Sequence, residues 1–270
     1  MKATLHFRNN KHLLKVIFVT AKIISNASKE FITSVTICNN KQNPVEPWNL
    51  RASDSIQLAF QDKFRDDLGI FYERQENSFE SHTDEDLEEM GIKQYKAVEI
   101  KRLAQTFLAF QGEVDKMSRL REVFETDSIY QNTFQKKYIN EGKSRKILLI
   151  YKIQFRLNKV IKEIINKGHE KYYFISKGRN LIWALLINEI LCDNNIESLC
   201  ERFGTSLNIE ADFSEYLKDL ASKRIRLIIT DAVKDKYYQN LINEEKYNFL
   251  RTKIFYQHCK DIANERYNRH

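Results

Sequence analysis

The sequence predicts an α+β chain that is predominantly α-helical, with a small N-terminal β element and its helices leading into an all-helical C-terminal bundle. Three observations carry that expectation. Glycine (7) and proline (2) are scarce among the 270 residues, so tight turns are few. Apolar residues recur every three or four positions through most of the chain, which is the spacing of one helix face. Alternation of the strand type is confined to short runs in the first half. A content of 17 Phe, 13 Tyr and 2 Trp supplies a core of useful size.

In chain order, a short strand is expected at Thr4 to Phe7 and a second at His12 to Thr20, where Leu14, Val16, Phe18 and Thr20 share a face. Ser28 to Asn39 reads as a helix with Ser28 as its N-cap. Asn43 to Pro47 should be an extended connector, because each proline pushes the residue before it out of helical geometry. Asp54 with Gln57 three residues on resembles a capping box, and Ile56, Ala59, Phe60 and Phe64 form the apolar stripe of the helix that follows. Asp67 to Gly69 ends it, and Ile70 to Arg74 reads as a strand with Ile70 and Tyr72 on one face. The acidic run from Ser78 to Met90 reads as a solvated loop or surface helix. Helices are predicted over Ala97 to Phe110 and Val114 to Phe124.

The second half continues with a long helix over Lys143 to Lys167 and a helix over Tyr172 to Leu191 interrupted near Gly178. Phe213 to Ile228 has well-defined helical spacing, and a last helix is expected from Tyr238 to Arg266. The pattern loosens around Asn140-Glu141-Gly142, which divides the chain into an α+β region, 1–135, and a helical domain, 136–270.

Between the first two predicted helices lies a run of amides without acids: Asn39, Asn40, Gln42 and Asn43, with Lys41 among them. Amide side chains both donate and accept, so such a segment can hold a phosphate, a base edge or another backbone. Asn-Asn-Lys-Gln-Asn-Pro-Val (39–45), Leu50-Arg51-Ala52-Ser53-Asp54 with Gln57, Phe71-Tyr72-Glu73-Arg74 and Leu103-Ala104-Gln105 stand here in an order that resembles the abortive-infection phage-resistance family, AIPR. The family's pattern is close to TNSQNPV, LRS-D-Q, G-FYER-G and LAQ, and the likeness covers roughly Val16 to Phe134. The resemblance implies a role in bacterial defence against phage and supplies no settled catalytic set. It also implies that a nuclease-like region with acidic metal ligands commonly lies upstream. This chain is therefore expected to be a fragment, or a short member that works with a nuclease-bearing segment or subunit. Unpaired strand edges would also suit pairing with another copy.

Charge is uneven. Residues 1–141 carry 20 Lys and Arg against 21 Asp and Glu, whereas residues 142–270 carry 24 against 16, a net of +8. Lys152, Arg156, Lys159 and Lys162 are expected on one face of the long helix, where they can neutralise phosphates of DNA or RNA. Tyr151, Phe155, Tyr172, Tyr173 and Phe174 interleave with them and offer stacking surfaces. A solvated helix face is the alternative reading of the same residues. Arg51 and Arg74, with the amide run, are candidates for contacting a phosphate or a phage-derived trigger; internal pairing with Asp54 and Glu73 is the preferred reading.

No P-loop, zincin, serine-hydrolase or zinc-spacing motif is present, and the six histidines stand apart from acids and thiols. Neither a cofactor, a metal nor a catalytic set is expected in this chain alone. The alternative is a metal-dependent nuclease completed by another segment or subunit, with Asp54, Glu73 and Glu99 as its acids. Cys38, Cys192, Cys200 and Cys259 form no CxxC pair, as expected for reduced thiols in the cytoplasm. The most apolar run, Leu181 to Cys192, is shorter than the roughly 20 residues a membrane span needs.

Overall fold

The computed structural model describes residues 45–139 apart from 77, 79–82, 84 and 87–96, then 143–166 and 170–267, together with Ser28. The strands expected at 4–7 and 12–20, and the helix expected after Ser28, lie outside these residues, as does most of the acidic run. Everything that follows belongs to the unit spanning 44–270.

Glu46 is extended, as a residue before proline must be. Pro47 itself opens a short helix, α1 (Pro47–Leu50), because the first helical position needs no N–H donor. Helix α2 (Ser55–Leu68) begins where Asp54 suggests and ends at Gly69, whose φ of 62° closes the helix. The expected capping box does not form. Asp54 makes no side-chain cap, and Gln57 is buried, donating to the Tyr130 hydroxyl at 2.9 Å and accepting from the Tyr72 hydroxyl.

Strand β1 (Phe71–Glu73) pairs in parallel with β2 (Ala97–Glu99), in the register Phe71 to Ala97, Tyr72 to Val98 and Glu73 to Glu99. Tyr72 and Val98 are its buried centre. The first three residues of the predicted helix 97–110 are thus a strand, and helix α3 covers Ile100–Phe110. A sheet this small is marginal alone. It leans on a helix from the second half: the Tyr151 hydroxyl accepts from the Glu99 N–H at 2.9 Å.

Past α3, Gly112 adopts φ 69°, and a Cβ there would collide with the ring of Tyr256. The predicted helix 114–124 is a 3-10 turn (Lys116–Ser118) followed by α4 (Leu120–Glu125). Helix α5 (Asp127–Thr133) and a 3-10 turn (Lys136–Tyr138) precede α6 (Lys143–Asn166). A 3-10 segment (Glu170–Gly178) then leads into α7 (Arg179–Cys192), with the break at Gly178. Helix α8 (Ile196–Phe203) was not anticipated from the sequence. Helix α9 (Ala211–Leu227) runs on into a π turn, Ile228–Ala232. The expected C-terminal helix is broken into α10 (Lys236–Asn243), a 3-10 segment (Tyr247–Arg251) and α11 (Lys253–Tyr267). The break follows from Glu245, whose φ of 55° ends α10.

Helix α6 is the axis of this arrangement. It packs against α2 and α3 on one side and α7, α8 and α9 on the other. Every residue from Ile147 to Gln154 is buried, so this stretch of α6 has no solvent face. That enclosure captures a charge. Lys152 is 0 % exposed; its Nζ donates to the Phe203 carbonyl at 2.8 Å and to both Glu210 oxygens, at 2.7 and 3.1 Å. Burial lowers its pKa from the ordinary lysine value, and the Glu210 carboxylate opposes that shift.

The pair is asymmetric, since Glu210 keeps 31 % of its side chain exposed. Glu210→Ala strands a buried ammonium and is expected to cost about 3–5 kcal/mol in urea unfolding. Lys152→Met should cost clearly less, and the Lys152→Met/Glu210→Gln double variant should lie near wild type. Equal losses in the two single variants would contradict this asymmetry.

Candidate nucleic-acid interface

Beyond Gln154 the enclosure of α6 opens on one side. Phe155, Asn158, Lys159, Lys162 and Asn166 are exposed and fall at the three- and four-residue intervals of a single stripe. Of the four cations predicted on this helix, Lys159 and Lys162 lie on that stripe, and Arg156 is half-buried, its Nε enclosed without a hydrogen-bond partner among the described residues. Lys152 is a correction. It points into the protein toward Glu210 and cannot reach a phosphate on the surface.

Residues distant in sequence complete the surface. Phe155 is 43 % exposed, with its ring 5.2 Å from that of Tyr151. The Arg102 guanidinium of α3 lies over the Phe155 ring at 4.9 Å and pairs with Glu99 at 2.9 Å. Arg179, the first residue of α7, donates to the Gln154 carbonyl at 3.0 Å. Burial, and then the nearby Arg102 charge, lowers the Arg179 pKa. Two guanidinium groups are thus held near one exposed aromatic ring, with lysines one and two turns further along α6. Such a surface can neutralise successive phosphates and stack a base.

Sequence reading found Phe155, Lys159 and Lys162. It did not single out Arg102 or Arg179. No local signal pairs Arg102 with Phe155; the fold alone brings them together.

Arg51 and Arg74 are occupied internally. Arg51 is 6 % exposed: its Nε donates to the Phe124 carbonyl at 3.0 Å, its guanidinium pairs with Asp127 and lies 3.6 Å from Asp54, and it sits 4.4 Å over the Tyr130 ring. Arg74 donates to the Ala52 carbonyl, and Glu73 accepts from the Ser78 N–H at 3.2 Å. Asn39, Asn40, Gln42 and Asn43 lie outside the described residues. Among the described residues no three potential metal-ligating side chains converge. Cys192, Cys200 and Cys259 are free thiols, and no described helix is long and apolar enough to cross a membrane.

Beside the stripe, Gln154 is 2 % exposed, and neither atom of its amide has a hydrogen-bond partner among the described residues. An unpaired buried amide costs about 1–3 kcal/mol. Gln154→Leu, which removes it at similar volume, is therefore expected to raise the urea midpoint while the Arg179 bond to the residue-154 carbonyl persists. A lowered midpoint would show that the amide is paired in solution.

A family model described as AIPR protein matches residues 2–257, extending on both sides of the Val16 to Phe134 stretch that carries the motif likeness. No curated protein matches the chain. No solved structure matches it either.

Proposed function

The chain belongs to the AIPR family, the abortive-infection phage-resistance proteins, and on that premise we propose that it serves this defence as a nucleic-acid-binding module. The observation that carries the proposal is the stripe of Phe155, Lys159 and Lys162 flanked by Arg102 and Arg179. The four cations neutralise phosphates along a strand, and the Phe155 ring stacks on a base. The net charge of +8 in residues 142–270 favours the encounter. Within this reading the amide run Asn39, Asn40, Gln42 and Asn43 is the surface for a trigger, and a nuclease-bearing segment or subunit is the partner that acts on the bound strand.

The second reading makes the chain part of a metal-dependent nuclease, with Asp54, Glu73 and Glu99 as its acids. Asp54 lies beside Arg51, and Glu99 pairs with Arg102. Asp54 beside the buried Arg51, and Glu73 held on the Ser78 N–H, favour the binding reading over this one.

Salt titration against labelled single- and double-stranded DNA and RNA, with magnesium present and label integrity checked, tests the proposal. Four phosphate contacts predict a slope of log K on log salt of about −3 for single strands. Lys159→Glu/Lys162→Glu should flatten that slope by about 1.4 and weaken binding at least tenfold at low salt. Phe155→Ala should weaken single-strand binding about tenfold through lost stacking, whereas Lys152→Met should leave the slope unchanged. Absence of binding at low salt sinks the proposal, and cleavage of the label moves the conclusion to the nuclease reading.

A further inference from the structure

A different concave surface lies between the end of the 3-10 segment Glu170–Gly178 and the turn that joins α10 to the segment Tyr247–Arg251. It is an open hollow of about 340 Å³, lined by Lys177, Glu245, Lys246, Tyr247, Asn248 and Arg251. That volume falls in the range of small-ligand clefts. Its walls are anchored from behind. Phe174 and Ile175 are buried on one side and Phe249 and Leu250 on the other, and the Tyr247 ring stacks on Phe174 at 6.5 Å and 21°.

The charges in it are unevenly satisfied. Lys246 pairs with Glu244 at 2.7 Å. Lys177 and Arg251 are exposed and have no carboxylate within 4.0 Å among the described residues. Instead, Lys177 Nζ lies 4.9 Å over the ring of Tyr173, which is 56 % exposed. Asn248 adds an amide donor and acceptor.

Glu245 is the anomaly. Helix α10 closes with the Glu245 N–H on the Ile242 carbonyl at 3.0 Å and the Lys246 N–H on the Leu241 carbonyl at 2.8 Å, which leaves Glu245 in the left-handed position. Glycine is the usual residue there, and a glutamate carries a backbone penalty. The helix ending does not require a glutamate, and Glu245 lines the pocket.

We propose that this pocket binds a nucleoside phosphate. Lys177 and Arg251 hold the phosphate, Tyr247 or Tyr173 stacks on the base, and the Glu245 carboxylate accepts from a sugar hydroxyl or an exocyclic amine. This site uses none of the residues of the α6 stripe, so it stands or falls separately from nucleic-acid binding there.

Calorimetric titration of the full chain with AMP, UMP, ADP, adenosine and inorganic phosphate tests it. Nucleotides should bind, with phosphate and adenosine each at least tenfold weaker. Lys177→Ala and Arg251→Ala should each weaken nucleotide binding at least tenfold, while Lys159→Glu/Lys162→Glu leaves it unchanged. Glu245→Gly should raise Tm by about 3 °C by relieving the left-handed residue, yet reduce the preference for AMP over phosphate. A free nucleotide and the phosphorylated end of a strand present the same groups. A 5′-phosphorylated dinucleotide that binds as tightly as AMP assigns the pocket to strand ends, and a much weaker one assigns it to free nucleotides; either result supports the proposal. Lack of nucleotide binding, equal affinity for AMP and phosphate, or unchanged binding in the Lys177 and Arg251 variants overturns it.

Discussion

A lysine ammonium with no solvent contact organises the centre of this protein. Lys152 must find its counter-charge and its acceptors inside, and it finds them in the Glu210 carboxylate and the Phe203 carbonyl. Those groups sit at the end of α8 and just before α9, so one side chain ties three helices together. Close packing at the same corner adds to the constraint: a Cβ on Gly204 would collide with the carbonyl of Arg145. The stretch Ile147–Gln154 of α6 is therefore enclosed on every side, and the exposed stripe beyond it begins at Phe155. The position of that exposed stripe follows from where the enclosure ends.

The same enclosure explains what could and could not be read from the sequence. Helical spacing found α2, α6, α7 and α9 with boundaries close to those observed, because each has a long apolar pattern and readable ends. Spacing also grouped Lys152 with Arg156 and Lys159, since residues four and three apart lie near one face. It could not show that this face is covered by α8 and α9 at Lys152 and bare at Lys159. Strand β2 merged with α3 in the sequence because both are apolar and nothing but tertiary pairing separates Glu99 from Ile100. Gln57 looked like a cap because it stands three residues after Asp54, yet two buried tyrosine hydroxyls outcompete the helix end for its amide.

Sites assembled from distant segments were the least legible. Lys159 and Lys162 carry a local signal, basic residues at helical spacing. Arg102 carries none, because it stands 53 positions before Phe155 and its role depends on α3 packing against α6. The internal commitment of Arg51 was foreseeable from Asp54 nearby. Its stronger anchorage, to Phe124 and Asp127, lies more than 70 residues away and could not be seen.

The ion pair between Glu113 and Lys253 spans 140 positions, and the Tyr256 ring one turn later covers Gly112. A ribosome adds that length of chain in on the order of 10 s. Through that interval the end of α3 has emerged while the helix that seals it is still unmade. The end of α3 thus stays unsealed until α11 has been made, and a transcript or ribosome halted before α11 leaves a chain with its interior open.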